Sequence, residues 1–285
     1  GGDVRQRAAS SVAPLLSRAD HHEPSVFIPE SLLREARRQR RLPEGSVPPT
    51  CLLDPDGDVV RHLQATGRGA RSPIWACYHT DLWETTICGE QIGVVGCAVG
   101  APFAVLVAEE LFASGCQLLV SITSAGQLDP DLELPCAILV DRAVRGEGTS
   151  SAYLPPATFA AGNTPLLDAV AAELRRSSLD TIRGATWTTD APFRETQTAI
   201  DAARAAGLRA VEMEVAALYA FAQARSRPVV CFALVTNQMA QVDGDFEKGP
   251  DDGAHHALRL AAAATRGWRT LTDHRSLDQS QQEPT

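Results

Sequence analysis

The stretch Val211-Glu212-Met213-Glu214-Val215-Ala216-Ala217-Leu218-Tyr219 sets two carboxylates around a methionine, where a strand-like run over 208–211 passes into a small-residue helix. Val211, Val215, Leu218 and Ala222 follow helical spacing and can face a core. Residues two apart on an ideal helix point roughly 200° from one another, so Glu212 and Glu214 should not both look into one pocket. A carboxylate at a pocket lip suits a cis-diol, because its two oxygens accept from two hydroxyls at once. The stretch therefore raises a ribose site as the first hypothesis.

Working outward, the passage from strand to helix recurs. Strand-like runs occupy 74–78, 83–88, 92–97, 117–122, 136–140, 182–188 and 229–235, and helical patterns occupy 104–113, 165–176, 196–206, 215–225 and 253–266. The early strands are consecutive and the later ones alternate with helices. This predicts one three-layer α/β/α domain around a central mixed sheet, spanning 24–272. Residues 43–72 carry Pro48-Pro49, Asp54-Pro55-Asp56-Gly57-Asp58 and Gly67-Arg68-Gly69, and are read as loop. Residues 1–23 lack a sustained apolar period and 273–285 are polar, so both are expected to be flexible tails.

Bulk properties agree. The chain has 285 residues, 44% of them hydrophobic and 21% charged, ordinary values for a soluble α/β domain with a substantial core. A formal net charge of -9 argues against a nucleic-acid surface. The seven cysteines are scattered without a C-x-x-C pair or zinc-ligand spacing, which suggests buried reduced thiols, no metal site and a cytoplasmic setting. There is no apolar run of about 18 residues, so no membrane span is expected, nor a signal peptide.

Four further segments close strands. Gly93-Val-Val-Gly96-Cys97-Ala98-Val-Gly100-Ala-Pro102-Phe103 reads as strand, glycine turn and helix start, where Ala98 and Gly100 leave backbone amides open to a ligand. It is neither G-x-G-x-x-G nor a P-loop. Ser121-Ile-Thr123-Ser124-Ala-Gly126 offers hydroxyls and amides to a phosphate or a sugar oxygen. In Thr188-Thr-Asp190-Ala-Pro-Phe193-Arg194-Glu195-Thr196, Asp190 and Thr196 suit turn and helix capping, while Phe193 and Arg194 suit a flat heterocycle. In Thr236-Asn237-Gln238 the Asn amide offers both donor and acceptor to a purine edge, or simply closes a turn. His255 and His256 read as surface or partly packed, and His21 and His22 matter only if the tail reaches an active site.

In this order, the segments resemble the nucleoside phosphorylase/uridine phosphorylase superfamily over roughly 26–268, with Trp83 and Gly89 in register with its first hairpin. The resemblance implies a nucleoside phosphorylase-like fold and cleavage of a nucleoside N-glycosidic bond. Phosphorolysis to free base and ribose 1-phosphate comes first. Hydrolysis by water and non-catalytic nucleoside binding are the alternatives. It places Met213 and Glu214 at the ribose, with Glu214 and Asn237 as the catalytic pair. Glu212, Phe193, Arg194, Asp190, Ala98, Gly100 and Thr123 line the substrate, although helical geometry gives Glu212 a structural part. Arg34 and Ser124 fall to phosphate. It implies no cofactor beyond inorganic phosphate as co-substrate, a small nucleoside as partner, and a homo-oligomer (dimer, trimer or hexamer).

The departures concern phosphate. In Phe27-Ile-Pro-Glu30-Ser-Leu-Leu-Arg34, Arg34 matches the family's loop arginine but Glu30 replaces its phosphate-binding glycine. By the resemblance, Ser121 and Tyr78 stand where two further arginines are expected, the second donated by a neighbouring subunit, with Arg68 and Arg71 as displaced candidates for it. Water is therefore a rival nucleophile.

Overall fold

The computed structural model describes residues 19–237, 248 and 250–282. Helix α1 (Pro29–Arg40) opens with proline and Glu30 in its first turn and closes with Arg37, Arg38 and Arg40 in its last, charges that complement the helix dipole. Strand β1 (Thr50–Asp54) follows, buried at every residue. Helix α2 (Asp58–Thr66) is capped from that strand: Asp54 Oδ2 accepts from the amides of Val59 at 2.9 Å and Val60 at 3.1 Å. Strands β2 (Ala70–Arg71), β3 (Trp83–Ile87) and β4 (Glu90–Gly96) come next. Cys88 and Gly89, at φ 51° and 78°, form the two-residue turn that joins the last two as a hairpin.

The rest of the chain alternates: α3 (Ala101–Ala113), β5 (Leu118–Gln127), β6 (Cys136–Gly146), β7 (Phe159–Ala161), α4 (Thr164–Arg176), β8 (Ile182–Thr189), α5 (Gln197–Ala205), β9 (Ala210–Glu212), α6 (Val215–Arg225), β10 (Val229–Asn237) and α7 (Ala254–Gln282).

The sheet runs β10-β6-β8-β9-β5-β1-β4-β3-β2, with β10 also paired to β5. Strands β5, β10, β6, β8 and β9 thereby close on themselves, and β1 to β4 extend from β5 as an arm. The sheet is mixed: β1 is parallel to both β4 and β5, whereas β9 is antiparallel to β5 and β6 to β10. Neighbouring strand residues enter opposite cores. Leu52, Val120 and Phe232 pack with Val59, Leu166 and Leu258 of α2, α4 and α7. Leu53, Leu119 and Cys231 pack with Val105 and Phe221 of α3 and α6. Burial on both faces explains why these strands are apolar throughout rather than alternating. The expected three layers and mixed sheet are present.

Several boundaries differ from the sequence reading. Residues 74–78 form a loop, buried as far as Cys77, because Trp75, Ala76 and Cys77 pack inward without ladder partners. The supposed loop 43–72 holds β1 and α2. The last helix passes 266 and runs to Gln282, so 273–282 are helical, though exposed, rather than an irregular tail. Residues 21–23 form a turn in which His21 Nε2 lies 3.0 Å from the Ser151 carbonyl. The tail residues 1–18 and 283–285, and Gln238, lie outside the described residues. Cys88 and Cys97 are exposed, unlike the other thiols. No described helix is long and apolar enough to cross a membrane.

Candidate functional site

Register brings the chosen segments together at the ends of four strands. Asn237 of β10 lies opposite Gly126 of β5, Gly126 lies opposite Val211 of β9, and Glu212 of β9 lies opposite Thr188 of β8.

Glu212 and Glu214 divide the work there. Glu212 ends a strand and is 3% exposed. Its Oε1 accepts from Thr186 Oγ1 at 3.0 Å and Thr188 Oγ1 at 2.6 Å, and its Oε2 accepts from the amides of Glu214 at 2.7 Å and Val215 at 2.8 Å. Thr188 Oγ1 accepts from the Ala216 amide at 2.9 Å. Glu212 thus caps the start of α6 with a carboxylate whose capacity is spent, which removes it from the substrate-facing set.

Glu214 is 1% exposed and stands at the N-cap of α6. Its Oε1 accepts from Thr123 Oγ1 at 3.0 Å, while its Oε2 is buried without a hydrogen-bond partner among the described residues. A buried carboxylate oxygen left open is costly, so it marks a place for an external donor. Burial, with the neighbouring Glu212 carboxylate, pushes the Glu214 carboxyl up to about 8. Met213, half-buried, links the two.

Thr123 and Ser124 alternate along β5 and face opposite sides of the sheet. Thr123 holds Glu214, whereas Ser124 lines a small cavity with Asp54, Asp56, Asp58, Thr236 and Lys248. The loop after β1 and the glycine turn after β4 abut behind it. A Cβ on Gly57 (φ +80°) would meet Cys97 Sγ at 2.6 Å, and one on Gly96 would meet Val60 Cγ2 at 2.8 Å. Gly96 therefore serves the close packing of the end of β4 against α2 and the Gly57 turn. At Gly100 (φ +92°) the nearest atom to an added Cβ is Pro102 Cδ at 4.0 Å, which leaves that turn open, while Ala98 is fully buried.

Arg34 is not at this site. It lies on α1, ahead of β1, in a separate surface cleft with Glu30, Arg37, Arg38, Arg41 and Phe112. The loop that follows the first strand is Pro55-Asp56-Gly57, so neither Arg34 nor Glu30 occupies the loop position that the resemblance implies. Ser121 is fully buried, and Tyr78 is exposed with its hydroxyl donating to Gln39 Oε1 at 2.5 Å. Lys248 lines the same cavity as Ser124, and Arg61 joins it through Asp58. Lys248 Nζ donates to Asp56 Oδ2 at 2.8 Å and Asp58 Oδ2 at 2.6 Å, and Arg61 donates to Asp58 Oδ1 at 2.6 Å. Burial raises the Asp58 carboxyl, but these bonds outweigh it and hold the group below its usual range. Sequence spacing had no means of pairing Lys248 with Asp56.

On the remaining side, Asn237 Nδ2 donates to the Ala125 carbonyl at 3.2 Å, which orients the amide at the end of β10. Asp190 Oδ2 accepts from the Gly148 amide at 2.9 Å and fastens the loop after β6 to that after β8. Thr196 caps α5 by accepting from the Ala199 amide at 3.2 Å. Phe193 is 100% exposed, and Arg194 is exposed beside it.

A family model described as the phosphorylase superfamily matches residues 54–267. The chain is similar to a uridine phosphorylase of Thermococcus kodakarensis, 30% identical over 109 residues that make up 34% of this chain and 39% of that protein. It is also similar to a guanosine phosphorylase of Halorubrum lacusprofundi, 25% identical over 58% of this chain and 66% of that protein. The matches thus span about two fifths and just under two thirds of those relatives. Among solved structures it shares its fold with an AMP nucleosidase from Bacteroides thetaiotaomicron (TM-score 0.66, 20% identity, 86% of this chain and 99% of that one). A uridine phosphorylase from Vibrio fischeri shares it too (TM-score 0.64, 21% identity, 78% and 92%).

Proposed function

The chain belongs to the phosphorylase superfamily, and on that premise we propose that it cleaves the N-glycosidic bond of a ribonucleoside. The observation that carries this reading is the open, buried Oε2 of Glu214 at the strand-end junction next to Asn237. Two ribose hydroxyls donate to Glu214 and hold the sugar as C1′ gains oxocarbenium character. Asn237 supports the departing base by hydrogen bonding; its amide carries no ionisable proton, so it acts on charge rather than as an acid. Phe193 and Arg194 receive the base from the loop after β8. Orientation and electrostatics supply the rate enhancement, with little covalent work by the protein. A homo-oligomer completes this reading, and it requires no cofactor.

The test is chromatographic release of free base from a panel of purine and pyrimidine ribonucleosides, run with inorganic phosphate present so that either acceptor reports. Release from at least one ribonucleoside supports the proposal. A thermal shift with a nucleoside but no release across the panel would replace it with a binding protein.

A further inference from the structure

We infer that a second binding site lies far from Glu214, in the cleft between the start of α4, the C-terminal end of α6 and the outer turns of α7, and that it takes a small organic anion with a flat apolar body. The cleft holds about 510 Å³, a volume that encloses a small molecule. Its place follows from the chain. Glu214 caps the start of α6, whereas Ala222 and Ser226 line the cleft at the other end of that helix. Val229 lines it too and opens β10, the strand that ends at Asn237. At about 3.3 Å per residue, β10 sets the cleft roughly 25 Å from that amide. The outer wall is Trp268, Leu271 and Arg275, spaced three and four apart on one face of α7. All three lie beyond residue 267, where the match to the superfamily ends.

The lining selects the ligand in two ways. The first is apolar surface. Trp268 and Leu271 are half-buried, rest on the core that contains Leu166, and offer an indole beside aliphatic side chains. The second is the sign of the charge. Arg227 and Arg275 line the cleft and no aspartate or glutamate does, in a chain with 35 acidic residues. Neither guanidinium makes an ion pair or a side-chain hydrogen bond among the described residues; that of Arg227 lies 5.2 Å from the centroid of the Phe112 ring. Further donors stand beside them. The Trp268 indole N–H has no acceptor among the described residues. Asn163 uses its Oδ1 to accept from the Leu166 amide at 3.0 Å, which leaves its NH2 group to donate. Guanidinium forks and N–H donors without a carboxylate among them match carboxylate or phosphate oxygens and repel a cation. A planar ring against Trp268, with its acid group at the arginines, satisfies both halves of the lining.

The experiment titrates the full chain calorimetrically with 1-naphthoate, and with the neutral 1-naphthalenemethanol and the cationic 1-naphthylmethylamine as controls of similar shape. The inference expects saturable binding of naphthoate at one site, about tenfold weaker binding of the alcohol and no measurable binding of the amine. Arg227→Glu/Arg275→Glu changes two exposed side chains, so it should melt with the parent and bind naphthoate at least about tenfold more weakly. Trp268→Ala should weaken naphthoate and the alcohol alike. Glu214→Gln should bind naphthoate as the parent does, because the probe sits at the other end of α6. No saturable binding of naphthoate, equal affinity for all three probes, or undiminished binding by the arginine double variant overturns the inference. Loss of binding in Glu214→Gln places the probe in the candidate nucleoside site and also overturns it. A parent that binds no probe, but whose mass by light scattering falls in the arginine double variant, gives the cleft to a second copy of the chain instead.

Discussion

Replacing Glu214 by glutamine changes one oxygen to an amide nitrogen and little else. Thr123 Oγ1 can still donate to the remaining oxygen, as it does to Oε1 at 3.0 Å, so the side chain stays in place. The position of the open Oε2 becomes an NH2 group, which donates where a ribose hydroxyl needs an acceptor. In an assay above pH 8, where the Glu214 carboxyl is ionised, hydrogen bonds to the charged group contribute about 1.5–3 kcal/mol each, and two hydroxyls are involved, one of which keeps a weaker neutral acceptor. The expected loss is about 2–4 kcal/mol of transition-state stabilisation, or roughly 30- to 1,000-fold in kcat/KM. The assay is steady-state base release from a matched pair, a ribonucleoside and its 2′-deoxy analogue, by parent and Glu214→Gln. The deoxy substrate has already lost one donor, so the variant should lose less on it, and discrimination between the two should shrink. The folded variant should melt no lower than the parent. An unchanged kcat/KM on the ribonucleoside, or an equal loss on both substrates, refutes the diol assignment.

Glu214 also gives the free protein a signature in pH. Its folded pKa is about 8 against an ordinary 4.5, so the folded state binds the extra proton. The associated stability is complete below pH 4.5 and is lost as pH rises through 8, a span on the order of 5 kcal/mol. Chemical denaturation of parent and Glu214→Gln across that range should diverge toward high pH, and parallel curves would contradict the shift. Glu212→Gln puts an amide against the Glu214 and Val215 N–H groups, and should lower stability by about 2–4 kcal/mol and misplace Glu214, read as a lower denaturant midpoint with lost turnover. Tyr219→Phe removes the hydroxyl that donates to the Val140 carbonyl and accepts from the Cys231 amide, tying β6 to β10. It should cost about 1–3 kcal/mol in the same assay while kcat/KM holds.

The sequence made the carboxylate pair of the candidate site legible because its chemistry is local. Glu212, Met213 and Glu214 sit within three residues, and their opposed directions follow from short-range geometry, although Glu212 ends a strand rather than sharing a helix with Glu214. The cluster of Asp56, Asp58 and Lys248 was hidden for two physical reasons. Strand β1 is five residues long between Pro49 and Pro55, too short to show a period among turn residues, so the loop after the first strand was sought at Glu30 and Arg34. Lys248 meets Asp56 across 192 residues, a pairing that tertiary structure alone creates. Thr123 and Ser124 looked like one hydroxyl-rich strand end, yet the two-residue period of β5 sends them to different tasks. The exposed helical turns beyond 272 escaped because a polar surface helix lacks the apolar stripe that identifies a packed one.

The central claim is that Glu214 holds the ribose of a nucleoside, and a crystal structure with a cleavage-resistant ribonucleoside tests it most directly. The account predicts the 2′- and 3′-hydroxyls within hydrogen-bond distance of Glu214, about 2.5–3.0 Å, with the base beside Asn237. A nucleoside seated elsewhere, or a Glu214 oxygen still without a ligand donor, would contradict it.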